Sequence, residues 1–148
     1  MTNSILVALK DSSSSRAVLE FLADLPFRSD DLKITLLNVL RRPSASEELM
    51  GEDFIREEPE KLRGFLENAR QKLIQKGYEA ENIHINLVIQ PYPTIAEGII
   101  DQYKKEEHSM VVIGRRKKTK SEEFLMGDIS VRLIRALEAS AILVVKSK

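Results

Sequence analysis

Short apolar runs alternate with longer amphipathic runs along this chain, and the alternation predicts a repeated strand–helix order. Each short run is rich in branched aliphatic side chains and is bounded by polar residues, as is typical of buried strands. The five predicted strands cover residues 5–9, 34–40, 83–89, 110–114 and 141–145. Parallel strands joined by helical crossovers form an open sheet with helices on both faces, so we expect an α/β, Rossmann-like sandwich.

Helix signals occupy most of the remaining sequence. The first helix is predicted to run from the serine cluster at 12–15 towards Pro26, and the last from Asp128 to about Ala139. We interpret the serines as helix-capping residues rather than nucleophiles, because no G-x-S-x-G motif surrounds them. Residues 41–58 fit neither a strand nor a helix, and they carry six acidic side chains against three basic ones. We expect them to form a mobile or partly helical insertion.

The second and third helices carry clearer signals. The second should begin near Pro59 and close at Gly77, and its apolar residues share one helical face: Leu62, Phe65, Leu66, Ala69 and Leu73. The third should begin after Thr94, which can cap the helix while Glu97 reaches back to complete a capping box.

Two strands differ in polarity in a way that predicts the edges of the sheet. Residues 83–90 alternate, with apolar side chains on one face and His84, Asn86 and Gln90 on the other, which is typical of an edge strand. Residues 141–145 do not alternate, although the last strand would normally lie at the opposite edge, where a bare apolar strand invites pairing. We therefore expect a homodimer in which a second copy covers Ala141–Val145.

Composition limits the classes of function. The chain has 148 residues, of which 43% are apolar, enough for one core but too few for two typical domains. Its 23 basic and 23 acidic residues cancel, so no overall field attracts nucleic acid or an anionic membrane. The absence of cysteine excludes disulfides and thiolate catalysis, and no apolar run approaches the length of a membrane span. We expect a single domain over residues 1–148, in the cytoplasm.

A candidate ligand site follows from the predicted topology. In an open α/β sheet, ligands bind beyond the carboxyl ends of the strands, where the strand order reverses. The two most polar loops are residues 10–15 after the first strand and 114–120 after the fourth. If these two strands are neighbours, backbone N–H groups of the second loop and of the helix opening near Gly127 could bind a phosphate there.

The residues of these loops resemble those of the universal stress protein family. The resemblance rests on the spacing of four positions. Two residues separate Gly114 from position 117, nine more separate position 117 from Gly127, and position 128 follows directly. A helix and a closing "ILVV" strand come after them. The segments "ILVALKDS" and "YPTIAEGII" also resemble the family, and only residues 41–58 fall outside. The resemblance implies the strand order 3-2-1-4-5 and a homodimer, often paired through the last strand. The resemblance also implies that the protein falls into one of two groups of the family: members that bind ATP, or members that lack the ATP-binding motif.

Several positions depart from the ATP-binding pattern of that family. Lys117 stands where the second glycine belongs, and Asp128 stands where a serine or threonine belongs. The family's usual Asp-Gly-Ser after the first strand aligns with Lys10, Asp11 and Ser12. The resemblance implies these cofactor-binding candidates: Lys10, Asp11, Gly114, Arg115, Arg116, Lys117, Gly127, Asp128 and Ile129.

The departures predict weaker ATP binding. Lysine instead of glycine at position 117 costs roughly 1 kcal/mol if the backbone keeps a positive φ, although it adds a cation. A carboxylate at Asp128 cannot donate to a phosphate and repels it by about 4 kcal/mol at 4 Å with an effective dielectric near 20. Aspartate is also among the best helix N-cap residues. We therefore expect the protein's own carboxylate to occupy the anion site.

Three hypotheses for function remain open. The first is a non-catalytic stress-response module that binds an unidentified protein partner and has weak or no affinity for ATP. The second is a switch that binds ATP or AMP, with Mg²⁺, between the Lys10 loop and the segment from Gly114 to Asp128. The third is an RNA or polyanion binder that uses residues 115–120, although the absence of interleaved aromatic residues favours a solvated loop. Neither His84 nor His108 lies in a metal-binding motif.

Overall fold

Five parallel strands form one sheet with helices on both faces. The computed structural model describes residues 3–10, 13–25, 30–41, 45–49, 59–106, 108–116 and 129–147. The strands are β1 (Ser4–Ala8), β2 (Lys33–Arg41), β3 (Ile83–Gln90), β4 (Met110–Arg116) and β5 (Ala141–Ser147). The α-helices are α1 (Ser13–Ala23), α2 (Ala45–Leu49), α3 (Pro59–Gln75), α4 (Ile95–Lys105) and α5 (Ile129–Ala136). A short 3₁₀ helix, Ala80–Asn82, precedes β3.

The strand order is β3-β2-β1-β4-β5, which confirms the predicted topology. In the register of the sheet, Val7 of β1 lies between Leu36 of β2 and Val112 of β4. The chain moves outward from β1 to β3, then crosses back to β4 on the other side of β1. The strand order therefore reverses between β1 and β4, where parallel sheets commonly have a crevice.

Two apolar clusters cover the two faces of the sheet. Ile5 and Val7 of β1 point to the cluster that contains α1 and α3, whereas Leu6 between them points to the cluster that contains α4 and α5. This alternation is the expected consequence of strand geometry. The strands β1 and β4 are buried on both faces, which explains their unbroken apolar sequences.

The predicted helix boundaries are correct at α3 and α4 and wrong at the last helix. Gly77 follows α3 with a φ of 102° and donates its N–H to the carbonyl of Ile74 at 3.0 Å, so it closes the helix as expected. The side chain of Thr94 accepts a hydrogen bond from the N–H of Glu97 at 3.2 Å. The last helix ends at Ala136 rather than near Ala139, because the chain there turns towards β5.

Within residues 41–58, the structure shows β2 ending at Arg41 and a short helix, α2. Residues 42–44 and 50–58 lie outside the described residues. None of the helices in the described ranges is long and apolar enough to cross a membrane. The edge position predicted for β3 is confirmed, and β5 forms the opposite edge.

Candidate functional site

The loop after β1 is held by buried polar side chains from two other elements. The N–H of Lys10 donates to the hydroxyl oxygen of Ser15 in the first turn of α1, at 2.8 Å. The carbonyl of Leu9 accepts from the amide nitrogen of Asn38, also at 2.8 Å. Ser15 and Asn38 are 2% and 4% exposed, so both side chains are buried. The beginning of the candidate phosphate loop is therefore anchored from α1 and from β2.

Ser15 makes a contact that the sequence did not predict, since its hydroxyl accepts a hydrogen bond from Lys10, which precedes the helix. The predicted capping role of the serine cluster stays a prediction, because Ser12, directly before α1, lies outside the described residues. Ser15 thus fixes the path of the chain into α1. Asn38 was missed altogether, although an asparagine inside the apolar run "LLNVL" is a usable signal, because a buried amide needs a partner.

Gly114 lies against the backbone of α1. A Cβ atom at this position would be 2.6 Å from the carbonyl oxygen of Ser14 and 2.9 Å from its carbonyl carbon. Both distances are far shorter than a carbon contact allows, so only glycine lets β4 pass this close to the first turn of α1. The requirement comes from close approach of two backbones, which is one of the standard uses of glycine.

Arg115 and Arg116 belong to β4, which corrects their predicted assignment to a loop. In the sheet register, Arg115 pairs with Lys146 and Arg116 pairs with Ser147 of β5. The strand therefore runs two residues further than the apolar pattern suggested. In the basic segment 115–120, these two residues form the carboxyl end of β4. Residues 117–120 lie outside the described residues.

The structure brings only part of the candidate set together. Ala8 pairs with Ile113, so Lys10, which follows β1, and Gly114, near the end of β4, lie at the same end of adjacent strands. Ile129 is the first residue of α5 and packs against the apolar cluster on the α4 and α5 face. The remaining candidates lie outside the described residues: Asp11, Lys117, Gly127 and Asp128.

A second polar cluster, not predicted from the sequence, lies beside the carboxyl ends of β2 and β3. The side chain of Arg41 donates to the carbonyl of Tyr92 at 2.6 Å, and the hydroxyl of Tyr92 donates to the carboxylate of Asp101 at 2.6 Å. The ammonium of Lys105 lies 3.3 Å from the same carboxylate. Burial and the Asp101 carboxylate raise the pKa of Tyr92, and the hydrogen bond from Tyr92 lowers the pKa of Asp101.

This cluster connects the end of β2 to α4. Gly98 on α4 permits the contact, since a Cβ there would be 2.5 Å from a methyl carbon of Val39 and 3.0 Å from the ring of Tyr92. At the start of α4, the guanidinium of Arg132 from α5 donates to the hydroxyl of Thr94 at 3.0 Å. The cluster therefore joins both helices of this face and has the character of a structural network.

His108 is buried at the opposite end of the sheet, before β4. It is 6% exposed, and its ring centroid lies 6.4 Å from that of Tyr103. Burial lowers the pKa of His108, and the charge of Glu106 partly opposes this effect. Across the described part of the chain, no group of three or more histidine, aspartate or glutamate side chains is arranged to hold a metal ion.

Comparison with solved structures shows the same fold in several proteins. A universal stress protein in complex with cAMP has a TM-score of 0.68 and 14% identity, with 98% of this chain and 97% of that chain covered. The universal stress protein from Archaeoglobus fulgidus in complex with dAMP has a TM-score of 0.63 and 16% identity, with 97% of each chain covered. A family protein from Arabidopsis thaliana with AMP bound has a TM-score of 0.60 and 16% identity, with 98% and 91% covered.

Sequence comparison gives the family. A search of curated protein sequences finds no match. The model of the universal stress protein family, in contrast, matches residues 1–146, which is nearly the entire chain. The observed strand order is the one that the resemblance to this family implies. The protein belongs to the universal stress protein family.

Proposed function

We propose that this protein is a non-catalytic stress-response module with weak or no affinity for ATP. The observation that carries the proposal is the position of Asp128 in the sequence, directly before the first residue of α5. The positive end of a helix dipole and its free N–H groups attract an anion. A carboxylate supplied by the chain itself competes for that position and repels a phosphate by about 4 kcal/mol at close range.

A thermal-shift titration with ATP and Mg²⁺ tests this proposal. A ligand that binds the folded state raises stability by RT ln(1 + [L]/Kd), so the melting temperature should stay constant into the millimolar range. The double variant Lys117→Gly/Asp128→Ser restores the residues of the ATP-binding pattern and should gain an ATP-dependent shift. A control variant, Lys104→Gln/Asp24→Asn, makes a similar change of charge at exposed positions on α4 and after α1.

A clear ATP-dependent shift of the unmodified protein would contradict the proposal. An unresponsive double variant would show that the barrier to ATP is not the pair Lys117 and Asp128. A gain of equal size in the control variant would show a general charge effect instead of a local one.

A nucleoside monophosphate switch is the second candidate. Three proteins of the same fold have cAMP, dAMP or AMP bound, which favours this class of ligand over a triphosphate. The buried anchors of the loop at Lys10 would keep one side of the crevice preformed. AMP and cAMP therefore belong in the same titration. A shift with AMP or cAMP that is absent with ATP would support this second candidate.

We further propose a homodimer through the β5 edge. Only β4 lies beside β5, and Ile142, Leu143, Val144 and Val145 are half-buried. Apolar side chains continue beyond the strand on the two helices that pack against it, α1 and α5. Phe21 is 38% exposed, Val131 42% and Ile134 62%. A second copy related by a two-fold axis would cover this surface with an identical one.

Sedimentation equilibrium of two surface variants tests the dimer. Ile134→Glu places a charge in the proposed interface at an exposed position, so the fold should persist while the mass falls to that of a monomer. Leu49→Glu on α2 is the control, since Leu49 is 89% exposed and should leave the dimer intact. A monomeric unmodified protein, or a dimeric Ile134→Glu variant, would rule out this interface.

A further inference from the structure

A groove of about 440 Å³ lies between α1 and α3, on the outer surface of one helical layer. None of its described lining residues belongs to the candidate site at the carboxyl ends of β1 and β4. Its volume is within the usual range for small-molecule sites, roughly 300–1,000 Å³. Eight residues line it: Arg16, Leu19, Phe65, Asn68, Ala69, Gln71, Lys72 and Gln75.

The groove combines an apolar base with a cationic rim. Leu19 and Ala69 are 6% and 2% exposed and belong to the apolar core, and Phe65 packs against that core. The two charged residues of the lining, Arg16 and Lys72, are both cations, and both are exposed. None of the lining residues that the structure describes is a carboxylate. A ligand placed there would contact hydrocarbon below and positive charge at the sides.

The two cations of the rim lack ion-pair partners within the described residues. Arg16 forms no ion pair with Glu20, one turn further along α1. Glu67 of α3 lies 3.3 Å from Arg70, whose side chain also donates to the carbonyl of Ile83. The Glu67 carboxylate is thus paired with Arg70, and it also accepts a hydrogen bond from the groove residue Gln71 at 3.4 Å.

The length of the groove fits an extended aliphatic chain. The lining residues of α3 run from Phe65 to Gln75, which corresponds to about 15 Å along a helix. A chain laid along this face would cover Phe65 and Ala69, and its polar end would reach a cation. Guanidinium and ammonium groups both bind carboxylates through charge-assisted hydrogen bonds.

We propose that the groove between α1 and α3 binds an aliphatic monocarboxylate, with the chain on Leu19, Phe65 and Ala69 and the carboxylate at Arg16 or Lys72. The cations favour an anionic head, and the apolar base favours a hydrocarbon tail over a compact polar anion. Two amide side chains of the lining, Asn68 and Gln75, can donate further hydrogen bonds to the carboxylate, whereas the amide of Gln71 already donates to Glu67.

Decanoate is a suitable probe, in a heteronuclear NMR titration of the full chain. Saturable shifts are expected at the backbone amides of Leu19 and Ala69. Decyltrimethylammonium has the same chain with the opposite charge, and it should bind at least tenfold more weakly. Octanoate should bind more weakly than decanoate, by about two- to fourfold for each methylene that is lost.

Two charge variants locate the site. Arg16→Gln/Lys72→Gln should weaken decanoate binding at least tenfold and leave decanol binding unchanged. Arg63→Gln/Lys104→Gln removes the same charge from exposed positions outside the groove and should bind decanoate like the unmodified protein. Equal weakening in both variants, equal binding of the cationic probe, or shifts at Lys10 and Gly114 instead of the groove would overturn the proposal. So would the absence of saturable shifts at millimolar decanoate.

Discussion

Replacement of Gly114 by alanine tests the close contact between β4 and α1. The added methyl group would lie 2.6 Å and 2.9 Å from two backbone atoms of Ser14. Neither atom can rotate away as the end of a side chain could, so the helix or the strand must move. Movement of α1 is resisted by Val18 and Leu22, which are 0% and 1% exposed in the core.

The expected cost follows from this geometry. Overpacking a close-packed contact typically costs about 1–3 kcal/mol. For a chain of this size, each kilocalorie lowers the melting temperature by roughly 2–4 °C, so Gly114→Ala should melt roughly 2–12 °C lower. The urea m-value should not change, because the same surface is exposed on unfolding.

Gly64→Ala is the matched control. Gly64 lies in the middle of α3 with no atom within 4 Å of an added Cβ, so alanine should stabilise the protein by roughly 0.5–1 kcal/mol. Urea denaturation of both variants should therefore give shifts of opposite sign. If Gly114→Ala stayed within about 0.5 kcal/mol of the unmodified protein, the usual scatter of a neutral surface change, the steric explanation would fail.

Three further substitutions test separate contacts by urea denaturation. Tyr78→Phe removes the hydroxyl that donates to the carbonyl of Leu22 and should cost about 1 kcal/mol; no change would show that the bond is not formed in solution. Thr94→Ala removes the cap of α4 and should cost about 0.5–2 kcal/mol, whereas Thr94→Ser should retain it. Burial lowers the pKa of His108, so as the pH decreases the unfolded chain is protonated before the folded one. The free energy of unfolding should therefore decrease as the pH is lowered through about 6.5. His108→Gln should flatten that slope between pH 8 and 5, and an unchanged slope would assign it to other groups.

The strands were predictable because their sequences report burial directly. Each of the five apolar runs is a strand, and the polar alternation of residues 83–90 correctly indicated an edge. The exception is instructive: Arg115 and Arg116 look like loop residues but continue β4. These two residues pair with β5 through the backbone. The polarity of a side chain does not indicate whether its backbone is paired in this way.

The anchors of the candidate site were less predictable, because they connect residues distant in sequence. Asn38 reaches the carbonyl of Leu9 across 29 positions, and Arg41 reaches that of Tyr92 across 51. Polarity marks such residues as unusual but does not identify their partners. The loop geometry at Lys10 therefore required the structure, whereas its place beyond β1 followed from topology alone.

Gly114 shows why a retained motif residue is weak evidence for a retained ligand. A glycine at this position can serve a phosphate that approaches the backbone, or it can serve the packing of two backbone segments. The contact with Ser14 is sufficient to require glycine with no ligand at all, since a Cβ would overlap a carbonyl oxygen. A family member that had stopped binding ATP would therefore keep Gly114 for the stability of the fold. Positions 117 and 128, where this sequence has a lysine and an aspartate, are the ones that depart from the ATP-binding pattern that the resemblance implies.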